Sequence, residues 1–194
     1  MEMNKKKLIL AFFLILIGVV GRLFMIKFVM IPNFEIVTSL SLMGGAMLGG
    51  IFTFIIPLSI IALSDVYLGN ASILIFTWSA FAVIGLFGWF LRKRKNLSPR
   101  FILEMTGLGV FSSLFFYLYT NFGWWLLSGM YEYNLNGFVY CYVMGIPFFK
   151  TNLLGNLFFV PFFTISALFV WKWSANFYLG FNKSKFKLLL SKNS

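Results

Sequence analysis

The segment LRKRKNLSPR, residues 91–100, decides the fold of this chain. Five of its ten residues are basic, and apolar runs at 72–91 and 101–121 flank it. Each run is long enough to cross a hydrocarbon layer of about 30 Å, and Lys and Arg are enriched in the cytoplasmic connections of membrane proteins. The segment therefore predicts a cytoplasmic connection between two membrane-spanning helices.

The composition of the whole chain predicts a membrane protein. Of the 194 residues, 60% are hydrophobic, 21% are aromatic and only 11% are charged. A soluble globular domain normally contains about 25% charged residues, because it must cover its surface with polar groups. We therefore predict an all-α integral membrane protein with a single transmembrane domain over residues 1–194.

The apolar runs predict six transmembrane helices, at 8–26, 36–50, 51–65, 72–91, 101–121 and 151–171. The second and third runs together correspond to ~45 Å of helix, which is too long for one upright span and short for two. The basic residues resolve this ambiguity, because six spans place 13 of the 16 Lys and Arg residues on one side. We predict a multi-pass protein of the plasma membrane with both termini in the cytoplasm.

Several classes of chemistry are excluded by the residues that the chain lacks. It has no histidine, a single cysteine (Cys141) and no Gly-x-x-x-x-Gly-Lys-Ser/Thr loop, so metal sites, histidine-based triads and P-loop nucleotide hydrolysis are not expected. The net charge of +11 comes from basic residues beside the apolar runs. This distribution indicates a lipid bilayer as the partner of the basic residues and excludes nucleic acid. We predict no metal and no cofactor.

The predicted topology gathers acids and amides at the outer side of the membrane. The candidate substrate-binding residues of this group are Asn33, Glu35, Asp65, Asn121, Asn152 and Asn156. Asp65 and Glu35 either contact a ligand or only cap helices. Asn152 and Asn156 are four positions apart and share one helix face, so they either bond a neighbouring helix or reach a ligand.

The segment 121–150 is rich in aromatic residues and also contains four glycines and Pro147. We expect those residues to break the helix and to form an outer lid between helices five and six, with Trp124, Trp125, Tyr131 and Tyr142 against a ligand. Broken backbone at membrane depth must be buried in protein or line a cavity. The alternative is an interfacial belt of aromatic side chains, which occurs in membrane proteins of every function.

The glycine cluster MGGAMLGG, residues 43–50, predicts a tight inner turn between the second and third helices. Ser41, Gly45 and Gly49 form a small-xxx-small series, which lets helices approach closely. This series serves either packing within the chain or docking of another membrane subunit.

Six segments resemble an uncharacterised prokaryotic six-helix membrane family that is similar to the substrate-binding S components of energy-coupling-factor (ECF) transporters. The segments are PNFE (32–35), SLSLMGGA (39–46), PLSIIALSD (57–65), TNFGWWL (120–126), GFVYCYVMGIPFF (137–149) and LLGN (153–156). The resemblance implies a subunit that captures a vitamin-like nutrient at the outer face. It also implies a transmembrane coupling subunit and ATPase subunits as partners.

We therefore expect the substrate-capture subunit of an ECF-type vitamin or micronutrient importer, which binds a small, ring-containing molecule and is not an enzyme. The alternative is a non-catalytic membrane scaffold or assembly protein, in which the aromatic residues serve only belt and packing roles. Intramembrane enzyme chemistry at Asp65 or Glu35 is disfavoured, because two lone acids offer neither a nucleophile nor an acid–base pair.

Overall fold

The computed structural model describes residues 5–69, 73–92 and 99–191, with side chains through residue 170. Helices are the only regular secondary structure in these ranges, which confirms the predicted all-α class. The helices are α1 (Lys5–Phe24), α2 (Val37–Met43), α3 (Phe52–Leu68), α4 (Leu74–Leu91), α5 (Pro99–Leu127) and α6 (Leu135–Ser191). π-helical turns continue α1 over Met25–Val29 and α2 over Gly44–Leu48. Most of the predicted basic connection, residues 93–98, lies outside the described ranges.

Four helical segments in the described part of the chain are long and apolar enough to cross a membrane. They are Lys5–Val29, Leu74–Leu91, Pro99–Leu127 and Leu135–Val170. Their outer faces expose large apolar side chains, such as those of Phe12 and Phe158, which is typical of a surface in contact with lipid. The apolar helices Val37–Leu48 and Phe52–Leu68 are shorter, so six complete crossings and their direction stay predictions.

Helix α2 lies at the centre of the bundle. It contacts each of the other five helices, and residues 36–46 are all buried. With its π-helical turn it is only about 18 Å long. Because protein rather than lipid surrounds it, α2 can be this short and can also bury hydroxyl groups, which bond to its own carbonyls: Ser39 donates to Ile36 and Ser41 to Val37.

Glycines permit close contact between α2 and its neighbours. A Cβ atom on Gly45 would collide with the carbonyl oxygen of Gly85 in α4, and one on Gly88 with the carbonyl oxygen of Leu42. Ser41, Gly45 and Gly49 are all buried. The three residues of this series thus lie inside the bundle, and at Gly45 the absence of a side chain lets the backbones of the α2 segment and α4 meet.

The turn in the glycine cluster is shorter than predicted. The helix continues through Leu48, and the chain reverses at Gly49 and Gly50, whose φ angles of +60° and +59° favour glycine. This turn defines the Gly49 end of the bundle. The opposite end, which contains the connections after α1, α3 and α5, is called the Asn33 end below.

The predicted break between helices five and six is wrong in extent. Only residues 128–134 separate α5 from α6, and Gly123, Gly145 and Pro147 all lie inside helices. Gly123 packs against the ring of Phe76, and Gly145 packs against the side chain of Asn121. These glycines do not end the helix, because each provides space for a neighbouring side chain. The connection 128–134 and the helix ends beside it form the α5–α6 hairpin.

Candidate functional site

A cavity of about 450 Å³ lies at the Asn33 end of the bundle. Its volume is within the range of small-molecule sites in proteins. The lining comes from the end of α1, the connection 30–36 (the cover segment below), and parts of α2, α4, α5 and α6. The lining residues are Arg22, Met25, Ile26, Met30, Ile31, Pro32, Asn33, Phe34, Glu35, Val37, Ile73, Thr77, Phe81, Phe116, Thr120 and Asn152.

Arg22 is the positively charged residue of the cavity wall. Its Nη1 lies 2.7 Å from Oδ1 of Asp65 on α3 and also donates to the hydroxyl group of Ser64. Trp78 of α4 donates from Nε1 to Oδ2 of Asp65 at 3.0 Å. A charged group at membrane depth is costly unless it is paired. Asp65 is retained in this apolar chain as the partner of Arg22, and it joins α1, α3 and α4 from behind the cavity wall.

Only part of the Arg22 guanidinium is used by this pairing. Every hydrogen bond that Arg22 makes with the described part of the chain uses Nη1, including a long contact of 3.5 Å to the carbonyl oxygen of Ile61. A guanidinium group has five N–H donors on three nitrogen atoms. The donors on Nε and Nη2 therefore have no partner in the described part of the chain, and Arg22 lines the cavity.

Glu35 closes the amino terminus of α2 with its carboxylate. Oε2 accepts hydrogen bonds from the backbone N–H groups of Val37 and Thr38, and Oε1 accepts from the hydroxyl group of Thr38 at 2.6 Å. Burial raises the pKa of Glu35, while the hydrogen bonds from Thr38 and Val37 and the charge on Arg22 oppose that rise. Glu35 lines the cavity, but its oxygens are already used as a helix cap.

A chain of hydrogen bonds connects the cavity with the centre of the bundle. Asn152 donates from Nδ2 to the carbonyl oxygen of Asn33 at 3.3 Å and to Oε1 of Glu35 at 3.4 Å. Asn156 donates to Oδ1 of Asn152 at 3.1 Å and to the hydroxyl group of Ser113 on α5 at 2.7 Å. The two asparagines are buried and do share one face of α6, where they bond neighbouring elements.

The cover segment, residues 30–36, closes one side of the cavity. The hydroxyl group of Thr151 on α6 donates to the carbonyl oxygen of Pro32 at 2.5 Å, and the ring of Phe34 lies 5.3 Å from that of Phe159. Met30 and Asn33 have left-handed φ angles of 55° and 58°. These contacts hold the segment against α6, so opening the cavity on this side requires their release.

The aromatic residues predicted to contact a ligand lie in the α5–α6 hairpin and do not line the cavity. Trp125 donates from Nε1 to the carbonyl oxygen of Glu132, and Tyr142 donates from its hydroxyl group to the carbonyl oxygen of Leu118. Asn121 donates to the carbonyl oxygen of Tyr117. Trp124 and Tyr131 lie on the same hairpin, outside the cavity lining. Tyr142 thus joins α6 to α5, Trp125 bonds the connection between them, and Asn121 bonds its own helix.

The structure thus brings together Asn33, Glu35 and Asn152 of the predicted set, with Asp65 and Asn156 directly behind them. Five lining residues are absent from the predicted set: Arg22, Thr77, Phe81, Phe116 and Thr120. Arg22 stands inside a predicted transmembrane span, and an ionisable residue at such a position indicates a functional site by default. That signal was sufficient to select Arg22, whereas the other four resemble ordinary residues of apolar helices.

Among the comparisons with known proteins, only the family comparison gives a match. No curated protein matches the chain, and no solved structure matches it. A family model described as a family of unknown function, DUF6580, matches residues 2–177, which confirms the predicted membership of an uncharacterised family. Because the match covers nearly the whole chain, this protein belongs to the DUF6580 family.

Proposed function

We propose that this protein is a membrane-embedded binding subunit that captures a small molecule in the cavity at the Asn33 end. The observation that carries the proposal is a cavity of about 450 Å³ whose wall combines apolar side chains with the unused donors of Arg22. Ligand sites have this composition, because the apolar wall supplies affinity and a few polar groups fix orientation.

The direction in which the chain crosses the membrane bears on this role. Arg92, at the end of α4, and the basic residues Lys5, Lys6 and Lys7, at the start of α1, belong to the Gly49 end, opposite the cavity. Basic ends of membrane helices are preferentially cytoplasmic. We infer that the Gly49 end faces the cytoplasm, both termini included, and that the cavity opens towards the outside of a plasma membrane.

Capture at the outer face suits a subunit of an ECF-type importer of vitamins or micronutrients, which is the role implied by the sequence resemblance. Such a subunit works with a transmembrane coupling protein and with ATPases that supply the energy. The chain itself then needs only to bind and release its ligand. Recovery of an ATPase with the tagged full chain supports this assembly, and recovery of the chain with its ligand alone limits the proposal to binding.

Binding is tested by isolating the full chain in lipid nanodiscs and measuring retained small molecules by native mass spectrometry. We expect a bound molecule in the wild type and a loss of about tenfold or more in Asn152→Leu, because that change removes the contacts to the cover segment and to Glu35. Asn121→Leu is the matched control, since it changes an asparagine that bonds within the hairpin.

Two outcomes contradict the proposal. One is a wild-type protein that retains no molecule. The other is equal retention by the Asn152→Leu and Asn121→Leu variants, with both variants folded as judged by their melting temperatures. Either result favours the scaffold or assembly role, in which the cavity has no ligand.

A further inference from the structure

We propose that the ligand is an uncharged molecule with a flat, mainly apolar body and a carbonyl or ring-nitrogen acceptor, which binds to Nε and Nη2 of Arg22. This inference rests on the proposed function, because it names the class of molecule that the cavity binds. It follows from which polar groups of the wall are already used, from the charges around the cavity, and from its apolar lining.

Two of the polar groups of the wall have little capacity left for a ligand. The carboxylate of Glu35 accepts from two backbone N–H groups, from the hydroxyl group of Thr38 and from Asn152. A carboxylate has about four acceptor positions, so these contacts fill it. The amide of Asn152 donates to Asn33 and Glu35 and accepts from Asn156. Both side chains therefore shape the wall and do not grip the ligand.

The polar groups of the wall that remain open are donors of Arg22, the side-chain amide of Asn33, which makes no hydrogen bond with the described part of the chain, and two threonine hydroxyl groups. Arg22 keeps the N–H groups of Nε and Nη2, since its bonds to the described residues use Nη1. The hydroxyl groups of Thr77 and Thr120 donate to carbonyl oxygens of their own helices, so each can still accept a bond. A ligand that accepts from Arg22 and donates weakly to a threonine matches this set.

The charge around the cavity disfavours an ionised ligand. Arg22 is already opposed by the negative charge of Asp65 at 2.7 Å, and the oxygens of Glu35 on the same wall already accept hydrogen bonds. A ligand carboxylate would add a further negative charge to this region, where a low dielectric constant strengthens repulsion. A ligand cation would lie beside Arg22 and would find the oxygens of Glu35 occupied. An uncharged acceptor avoids both penalties.

The rest of the lining suits a flat apolar body. The rings of Phe81 and Phe116 lie with their centroids 5.0 Å apart and form one wall, and Phe34 of the cover segment adds a third ring. Aromatic side chains provide large apolar faces on which a planar molecule can stack. The acceptor group would then point towards α1, where Arg22 lies.

The proposal is tested with three probes of the same size: 2-naphthamide, 2-naphthoate and 2-naphthylmethylammonium. Each is titrated against the full chain in nanodiscs of uncharged phosphatidylcholine, after removal of any bound molecule, and binding is measured by ligand-observed NMR and by the shift in melting temperature. We expect the uncharged amide to bind about tenfold more tightly than either ion, because each ion meets a like charge beside the cavity.

Two variants assign this preference to the cavity. Arg22→Lys keeps a positive charge for Asp65 but loses the fork of donors, so the affinity for 2-naphthamide should fall about tenfold. Thr120→Val should reduce it about fivefold through one lost hydrogen bond. Thr106→Val is the matched control, because Thr106 lies on the same helix, bonds its own helix in the same way and is outside the cavity lining. The Thr120→Val result stands if Arg22→Lys does not fold.

The outcomes separate this inference from the proposed function. Tighter binding of the naphthoate or of the ammonium probe overturns the uncharged-ligand inference and leaves a ligand-binding cavity in place. Equal binding of all three, or unchanged binding of the amide in Thr120→Val and Arg22→Lys, overturns the assignment to Arg22. Failure of all three probes, together with a wild-type protein that retains no molecule, overturns the inference and the proposed function together.

Discussion

The cavity and the α5–α6 hairpin are both rich in polar and aromatic side chains, yet their contacts differ in range. In the hairpin, Trp125 bonds a carbonyl seven positions away and Tyr142 one that is 24 positions away. Around the cavity, Arg22 and Asp65 are 43 positions apart, and Thr151 lies 119 positions from Pro32. The hairpin is a local structure, whereas the cavity depends on the assembly of the whole bundle.

The polar groups of the hairpin form hydrogen bonds that stabilise a local structure. The polar groups around the cavity include donors of Arg22 that no described residue uses. Two adjacent antiparallel helices provide hydrogen-bond acceptors along their whole length. The polar side chains of the hairpin therefore bond nearby carbonyl oxygens. At the cavity, several elements converge and cannot fill the space between them, and part of the Arg22 guanidinium keeps its donors. Local hydrogen bonds therefore use the polar groups of the hairpin, whereas Arg22, a charged residue inside an apolar helix, keeps donors that no described residue uses.

The largest effect is expected from breaking the ion pair behind the cavity. Asp65→Leu should lower the free energy of unfolding by about 3 kcal/mol, because it leaves the charge of Arg22 without its counterion in a mostly buried position. Adding Arg22→Leu should recover most of that stability, since an apolar pair replaces a buried ionic one. The double variant should still fail to bind the ligand. Equilibrium unfolding in lipid bicelles and ligand retention measure the two effects.

The exposed pair between Arg100 and Glu104 is the control for this experiment. Its Nε to Oε1 distance is 3.2 Å, but the Arg100 side chain is 82% exposed. Arg100→Gln should cost only about 0.3 to 0.5 kcal/mol. If Asp65→Leu costs no more than Arg100→Gln, the pair between Arg22 and Asp65 does not hold α1 and α3 together.

Much of the fold could be predicted from the sequence, because long apolar runs have few alternatives to the helix in a membrane. The predicted runs correspond to the six helices, and α4 ends at Leu91 as predicted. The extents of α5 and α6 could not be predicted in this way. The sequence predicts helix breaks at Gly145 and Pro147, but whether Gly145 ends a helix or accommodates a neighbour depends on Asn121, which lies across the helix interface.

The polar lining of the cavity was predicted in part for a related reason. Polar residues at helix ends, such as Glu35 and Asn152, are conspicuous in an apolar sequence, and both line the cavity. Phe81, Phe116 and Thr120 are ordinary residues of apolar helices, and only the packing of α4 against α5 places them in one wall. Sequence analysis could find the polar groups of the site but not the surface that encloses it.

A smaller effect on stability and ligand retention is expected from two variants in α6, one beside the cavity and one in the hairpin. Asn156→Leu should lower the free energy of unfolding by about 1 kcal/mol, because it removes bonds to Ser113 and Asn152 but also removes an Oδ1 that has no partner in the described chain. Tyr142→Phe should cost a similar amount through the bond to Leu118. Only Asn156→Leu should reduce ligand retention, since it releases Asn152. Equal retention by both variants would show that the chain of hydrogen bonds does not support the cavity wall.

The smallest expected effect is the contribution of Glu35 to the pH dependence of stability. Burial raises the pKa of this carboxyl group above the value of about 4.3 that is typical of an unfolded chain. Between the two pKa values the folded protein keeps a proton that the unfolded chain has released, so the free energy of unfolding falls as the pH rises through that window. Glu35→Gln cannot titrate, and its melting temperature should therefore fall less than that of the wild type between pH 4.5 and neutral pH. Parallel curves for the two proteins, or a wild type that gains stability relative to the variant, would mean that the hydrogen bonds to α2 outweigh burial and keep Glu35 ionised.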